Sequence, residues 1–118
     1  MTPRPAPEKI EVTLVTPERE VRLAVTSEEA LWPAALNTGL TLPAICHQGG
    51  CLTCAGRIEG AGKVDHRAAD AYFPADAAAG FVLLCTATAA QGPLRIRTHM
   101  ENEMRRHRLA HGLPAPYS

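Results

Sequence analysis

Three of the four cysteines in this 118-residue chain fall in one stretch, CHQGGCLTC, at Cys46, Cys51 and Cys54. The fourth, Cys85, stands alone 31 positions after Cys54. Thiols so close in sequence are close in space, and four chemistries could gather them: disulfides, a redox dithiol, a zinc site or an iron–sulfur cradle. The N-terminus MTPRPAPEK lacks the apolar core of a secretory signal, so a reducing compartment is expected, where disulfides are disfavoured. Cys51-Leu52-Thr53-Cys54 is formally a C-x-x-C dithiol, but it follows two glycines and shows no helical period, whereas redox dithiols sit at helix starts. Structural zinc usually takes two C-x2-4-C pairs on two knuckles, and this chain offers a trio and a single.

The spacing itself, Cys46-x4-Cys51-x2-Cys54 with a distant Cys85, matches the ligand pattern of a [2Fe-2S] cluster. One loop would supply three sulfurs and a strand elsewhere the fourth. Gly49 and Gly50 have a mechanical role in that arrangement, because without side chains they let backbone N–H groups approach the sulfurs. A non-redox binding module braced by a four-cysteine zinc site stays as the alternative. No serine–histidine–acid set, phosphate loop or H-E-x-x-H motif competes, and His66, His99, His107 and His111 have no spacing that forces a shared site.

The elements around the loop must position these thiols. Hydrophobic residues make up 46% and charged residues 20%, the balance of one folded domain. No stretch approaches the length of a membrane span, so a cytoplasmic protein without membrane insertion is expected. The net charge of zero conceals a division. Residues 1–103 carry nine Lys/Arg against twelve Asp/Glu, whereas residues 104–118 carry Arg105, Arg106 and Arg108 and no acid. Basic residues of the body are scattered along the sequence and aromatics are only 4%, so nothing in it resembles a nucleic-acid-binding face.

Residues 1–9, with three prolines, read as a flexible lead-in. IEVTLV and VRLAV alternate apolar and polar residues around TPERE and predict an antiparallel hairpin. A short helix is expected from Pro33 to Thr38, stopped by Gly39, with Trp32 and Leu36 packed in the core. AGRIEG predicts a strand, and VDHRAADAYF with PADAAAG one or two helical turns ended by Gly80. FVLLC predicts a buried strand carrying Cys85 at its end, and LRIR a last strand. Residues 104–118 form a basic extension, either a helix over Glu101–His111 lying on the acidic body, an arm for an acidic partner, or a solvated tail.

Beyond the cysteines, EVTLVTPE, LPAICHQGGCLTCAGRI, KVD, AGFVLLC and LRIRTHMENE together resemble the plant-type [2Fe-2S] ferredoxins across residues 10–103. The resemblance implies an α+β, β-grasp fold: a mixed sheet with a packed short helix and a cluster-binding loop. It implies one [2Fe-2S] cluster held by Cys46, Cys51, Cys54 and Cys85, and a low-potential one-electron carrier, expected as a monomer and not an enzyme. The donors it implies are photosystem I or a reductase, and the acceptors a ferredoxin-NADP reductase or an oxygenase.

The chain departs from that family in places. His47 replaces the usual arginine after the first cysteine, which exchanges a permanent charge for one that titrates near neutrality. Leu52 and Thr53 stand where small hydroxyl residues are common, so Leu52 adds apolar cover while the Thr53 hydroxyl can bond a sulfur or a backbone group. In FPADAAAG, Asp76 is the sole acid of a run that is usually carboxylate-rich, which thins the expected docking face and lowers dependence on electrostatic steering.

Overall fold

A computed structural model gives the protein's structure and describes residues 9–43, 52–66, 72–113 and 115. The expected hairpin is present as β1 (Ile10–Val15) and β2 (Glu20–Val25). Its alternation has the expected cause: Val12, Leu14, Leu23 and Val25 are buried, while the neighbouring Glu11, Arg22 and Ala24 face out and Thr13 is half-buried. Thr16 closes the turn, its hydroxyl donating to the Arg19 carbonyl at 2.8 Å. Then follow α1 (Leu31–Asn37), β3 (Ala55–Ile58), β4 (Lys63–Asp65) and α2 (Pro74–Ala78). The chain ends with β5 (Phe81–Leu83), β6 (Thr88–Gln91), β7 (Leu94–Arg97) and α3 (Glu101–Ala110).

Five strands form one mixed sheet in the order β2-β1-β7-β3-β5, and β4 pairs with β6 in a separate antiparallel ribbon. The last long strand, β7, inserts in the middle, parallel to β1 and antiparallel to β3. With α1 packed on β2 and in the core, this is the α+β, β-grasp arrangement. Close packing at the centre depends on Gly56 of β3, where a Cβ would lie 2.8 Å from Ile96 Cγ2 and 3.1 Å from the Arg97 carbonyl oxygen. Among the described residues no helix is long and apolar enough to cross a membrane.

Several elements differ from expectation. α1 starts at Leu31, not Pro33, because Leu31 N–H donates to the Ala87 carbonyl (2.9 Å) and Trp32 N–H to the Leu84 carbonyl (2.8 Å). Pro33 then sits in the first turn, where its missing N–H costs nothing. That start puts Leu31, Ala34 and Ala35 on the buried face and leaves Leu36, expected in the core, 44% exposed. FVLLC is a strand only to Leu83, and Cys85 lies in the following turn. Residues 63–65 are the strand β4, not part of a helical turn, and β6 was not anticipated. α2 ends as expected at Gly80, whose φ of +82° favours glycine.

Of the three expectations for the basic segment, the helix lying on the body holds over Glu101–Ala110, where α3 docks on α2 and β3. Met104 and Arg108 are fully buried. Arg108 meets Asp76 of α2 with Nε to Oδ1 at 3.0 Å and Nη2 to Oδ2 at 2.9 Å, both side chains being 0% exposed. The same carboxylate accepts Phe73 N–H at 3.0 Å, which caps α2. Asp76 therefore is not an exposed docking acid: the carboxylate is desolvated and consumed by internal donors. His107 Nε2 lies 3.1 Å from Oδ1 but out of line for a hydrogen bond, so Arg108 is the neutralising partner. Beside this pair, burial pushes the Tyr72 hydroxyl pKa up, with the Asp76 charge adding to the effect.

Candidate metal centre

The pairing of β3 with β5 places two of the thiols. Ala55 pairs with Leu83, so the residue before β3, Cys54, comes opposite the first turn residue after β5, and Leu84 N–H donates to the Cys54 carbonyl at 3.2 Å. Cys85 follows at once in the turn, so both cysteines lie at the same end of the sheet. The turn is fixed from both sides. Ala87 N–H donates back to the Leu83 carbonyl at 3.1 Å, while the first residues of α1 bond the Leu84 and Ala87 carbonyls.

The entrance to the cysteine loop is held by the same helix. Trp32 Nε1–H donates to the Leu42 carbonyl at 2.8 Å, just before Pro43. The exit is a turn in which Ala55 N–H donates to the Leu52 carbonyl at 3.0 Å. Leu52 is fully buried and supplies apolar cover as expected, and the Thr53 hydroxyl donates to Glu101 Oε1 of α3 at 3.4 Å, a partner the sequence did not indicate. Cys46, His47, Gly49, Gly50 and Cys51 lie outside the described residues, so the structure brings together Cys54 and Cys85 of the predicted set.

Cys54 is 2% and Cys85 6% exposed, a setting that disfavours a bare thiolate and is compatible with a neutral thiol or with a thiolate whose charge is shared with a soft metal centre. Next to Cys85, the Thr86 hydroxyl oxygen is buried and has no hydrogen-bond partner among the described residues. An orphaned hydroxyl beside a buried cysteine is the feature expected where a donor faces a metal-bound sulfur, so the residues fit a sulfur-ligated cluster. Nothing in the sequence marked Thr86 or Glu101: one follows Cys85 in an ordinary TAT run, and the other is 48 positions from its partner.

Away from the thiols, His66 stacks on Tyr72 with ring centroids 3.5 Å apart. Burial pulls its pKa down to about 4, partly opposed by Asp65 and Asp76. On the sheet face away from α1, Glu20 accepts from Arg95 at 2.6 Å, and Glu59 pairs with Arg97 at 3.2 Å and Arg95 at 3.5 Å. The hydrogen bond to Arg95 holds the Glu20 carboxyl below its ordinary range.

A family described as the 2Fe-2S iron-sulfur cluster binding domain matches residues 15–90. Ferredoxin-2 of Synechococcus sp. is 40% identical over 78 residues, which cover 66% of this chain and 72% of that protein. Among solved structures, pectocin M2 superimposes with a TM-score of 0.71 at 22% identity over 81% of this chain, a likeness of fold alone, and the chain spans 34% of its length. The Amycolatopsis cytochrome P450 reductase GcoB gives a TM-score of 0.60 at 28% identity, with 73% of this chain matched to 25% of that one.

Proposed function

This chain belongs to the plant-type [2Fe-2S] ferredoxins, electron-transfer proteins carrying one [2Fe-2S] cluster, and on that premise we propose that Cys46, Cys51, Cys54 and Cys85 are the four ligands. The observation that carries the proposal is the convergence of Cys54 and Cys85, buried at one end of the β3–β5 pair beside the orphaned Thr86 hydroxyl. When bound, the cluster supplies reversible one-electron chemistry between Fe(III)/Fe(III) and Fe(III)/Fe(II), and no substrate bond is broken.

The chain's own residues have distinct parts in that role. In the bound state Gly49 and Gly50, lacking side chains, would allow backbone N–H groups to approach the sulfurs, and the Thr86 hydroxyl would offer a further donor next to Cys85. Leu52 excludes water, and Thr53, tied to Glu101, fixes the residue before Cys54. His47 sits between two ligands in sequence and is the tunable charge of the loop. Trp32 clamps the loop entrance and the α1 start clamps the Cys85 turn, so the ligand geometry is preorganised from one helix.

We further propose low-potential transfer from a reductase or photosystem I to a ferredoxin-NADP reductase or an oxygenase. The matched segment of GcoB, a cytochrome P450 reductase by name, supports redox partners of the reductase and oxygenase kind. The test is anaerobic purification of the full chain. A brown protein with two irons and two sulfides, EPR-silent until reduced by one electron, is the expected result, and Cys54→Ser or Cys85→Ser abolishes it. A colourless protein containing zinc overturns the reading.

A further inference from the structure

The sheet face that carries Arg57 is divided. Toward β5 it is covered: Phe81, the register partner of Arg57, lies 5.1 Å from the His107 ring of α3, and Met100 N–H bonds the Ala55 carbonyl at 3.0 Å. Toward β7, β1 and β2 its residues are exposed, apart from the half-buried Thr13 and Val15 of β1. Arg57 of β3 stands directly opposite Arg97 of β7, Arg95 is two positions along the same strand, and Arg95 is level with Thr13, which is level with Arg22. Four guanidinium groups thus share adjacent rows of one exposed half-face, two of them as a direct like-charge pair, an arrangement that disfavours the sheet.

The local carboxylates do not balance them. Glu20 and Glu59 are the acids beside these rows, and both are engaged by Arg95 and Arg97. Glu11 sits farther along, opposite Ala24. Among the described residues neither Arg22 nor Arg57 has a carboxylate within ion-pair distance. Arg57 is nonetheless held in place, with Nε–H donating to the Ala79 carbonyl at 3.1 Å and its guanidinium 5.3 Å from the Phe81 ring centre. A groove of about 430 Å³ opens there, lined by Arg57, Ile58, Glu59, Arg97 and Met100.

We infer that this half-face, centred on Arg57 and Arg97, is the docking surface for a carboxylate-rich patch on a redox partner protein. Arg57, held in place without a carboxylate, matches an incoming carboxylate in geometry as well as charge, and the exposed Arg97, shared with Glu59, adds to the positive field. The position is favourable, because Arg57 is three residues along β3 from Cys54, about 10 Å of strand. Asp76, the one acid of the run before Cys85, is buried under α3 and offers no acidic surface there. The inference deepens the electron-carrier reading and rests on it for the nature of the partner.

The probe is a fluorescent hexaglutamate peptide titrated into the full-length cluster-containing protein at low ionic strength. Saturable binding is expected, weakened about tenfold or more by Arg57→Gln with Arg97→Gln, retained by Arg106→Gln on α3, and absent for hexalysine. No saturable binding overturns the proposal, as does equal loss in the Arg106→Gln control. Binding of phosphatidylglycerol vesicles or duplex DNA in place of the peptide, with the same arginine dependence, overturns the choice of partner. Cluster absorption and one-electron reducibility, recorded on the same samples, separate failure of this surface from failure of the carrier function.

Discussion

Arg108, in the last turn of α3, and Asp76, in α2, form a completely buried two-point ion pair, at 3.0 and 2.9 Å, which fastens the C-terminal helix to the domain. The guanidinium also lies 4.8 Å from the Phe73 ring centre, so its charge is enclosed by the segment its partner caps. Replacing Arg108 by Met leaves a buried carboxylate with one backbone donor. We expect a loss of about 3–5 kcal/mol, seen as a fall of roughly 10 °C or more in thermal midpoint. Adding Asp76→Asn, which keeps a capping oxygen and removes the charge, restores a large part of that loss. If Arg108→Met unfolds at the wild-type temperature, the pair is not what holds the helix.

His66 sets an acid limit. Its folded pKa of about 4 lies below the ordinary histidine value, so as pH falls the unfolded chain takes up the proton first. The contribution to instability is nil above about pH 6.5, grows between 6.5 and 4, and levels off below. Allowing for the ring's remaining contact with water, it amounts to about 1–2 kcal/mol. Stability measured from pH 7.5 to 4 is expected to decline less steeply in His66→Gln than in wild type, and equal slopes would refute the assignment.

Arg57 separates stability from recognition. Its like-charged partner across the strand pair is Arg97, so Arg57→Gln is expected to leave the thermal midpoint unchanged or to raise stability by about 0.2–1 kcal/mol. Lost binding to an acidic partner in a variant that is as stable as wild type identifies a residue kept for docking. A marked drop in stability would instead assign Arg57 to the packing over Phe81.

Thr86 offers the most conservative probe of the centre. Its hydroxyl is buried without a partner among the described residues, so Thr86→Val removes no hydrogen bond seen there, and apo stability should change by less than about 1 kcal/mol. In the cluster-containing protein a hydroxyl donating to sulfur favours the reduced state, so the valine variant should have a lower reduction potential. An unchanged potential, by voltammetry at fixed pH, would show that the hydroxyl faces away from sulfur.

Local signals revealed much of this architecture. The alternation in IEVTLV and VRLAV marked the hairpin because one face is buried and the other is wet. The x4 and x2 gaps pointed to the family whose [2Fe-2S] domain matches residues 15–90, because that spacing is the pattern of its cluster ligands. What the sequence concealed depends on contacts distant along the chain. The true start of α1 is fixed by carbonyls of residues 84 and 87, and Asp76 turns from surface acid to buried counter-ion only because Arg108 arrives 32 positions later. The arginine cluster was equally hidden: Arg22, Arg57, Arg95 and Arg97 look scattered until the order β2-β1-β7-β3 aligns them.

The hydrogen bond from Trp32 to the Leu42 carbonyl has a practical consequence, since Trp32 is the chain's single tryptophan. All indole emission therefore comes from the clamp at the loop entrance. A red shift on iron removal reports opening of that clamp, while the bleaching of visible colour reports the cluster itself. Cofactor insertion and closure of the entrance can thus be timed separately on an unlabelled protein.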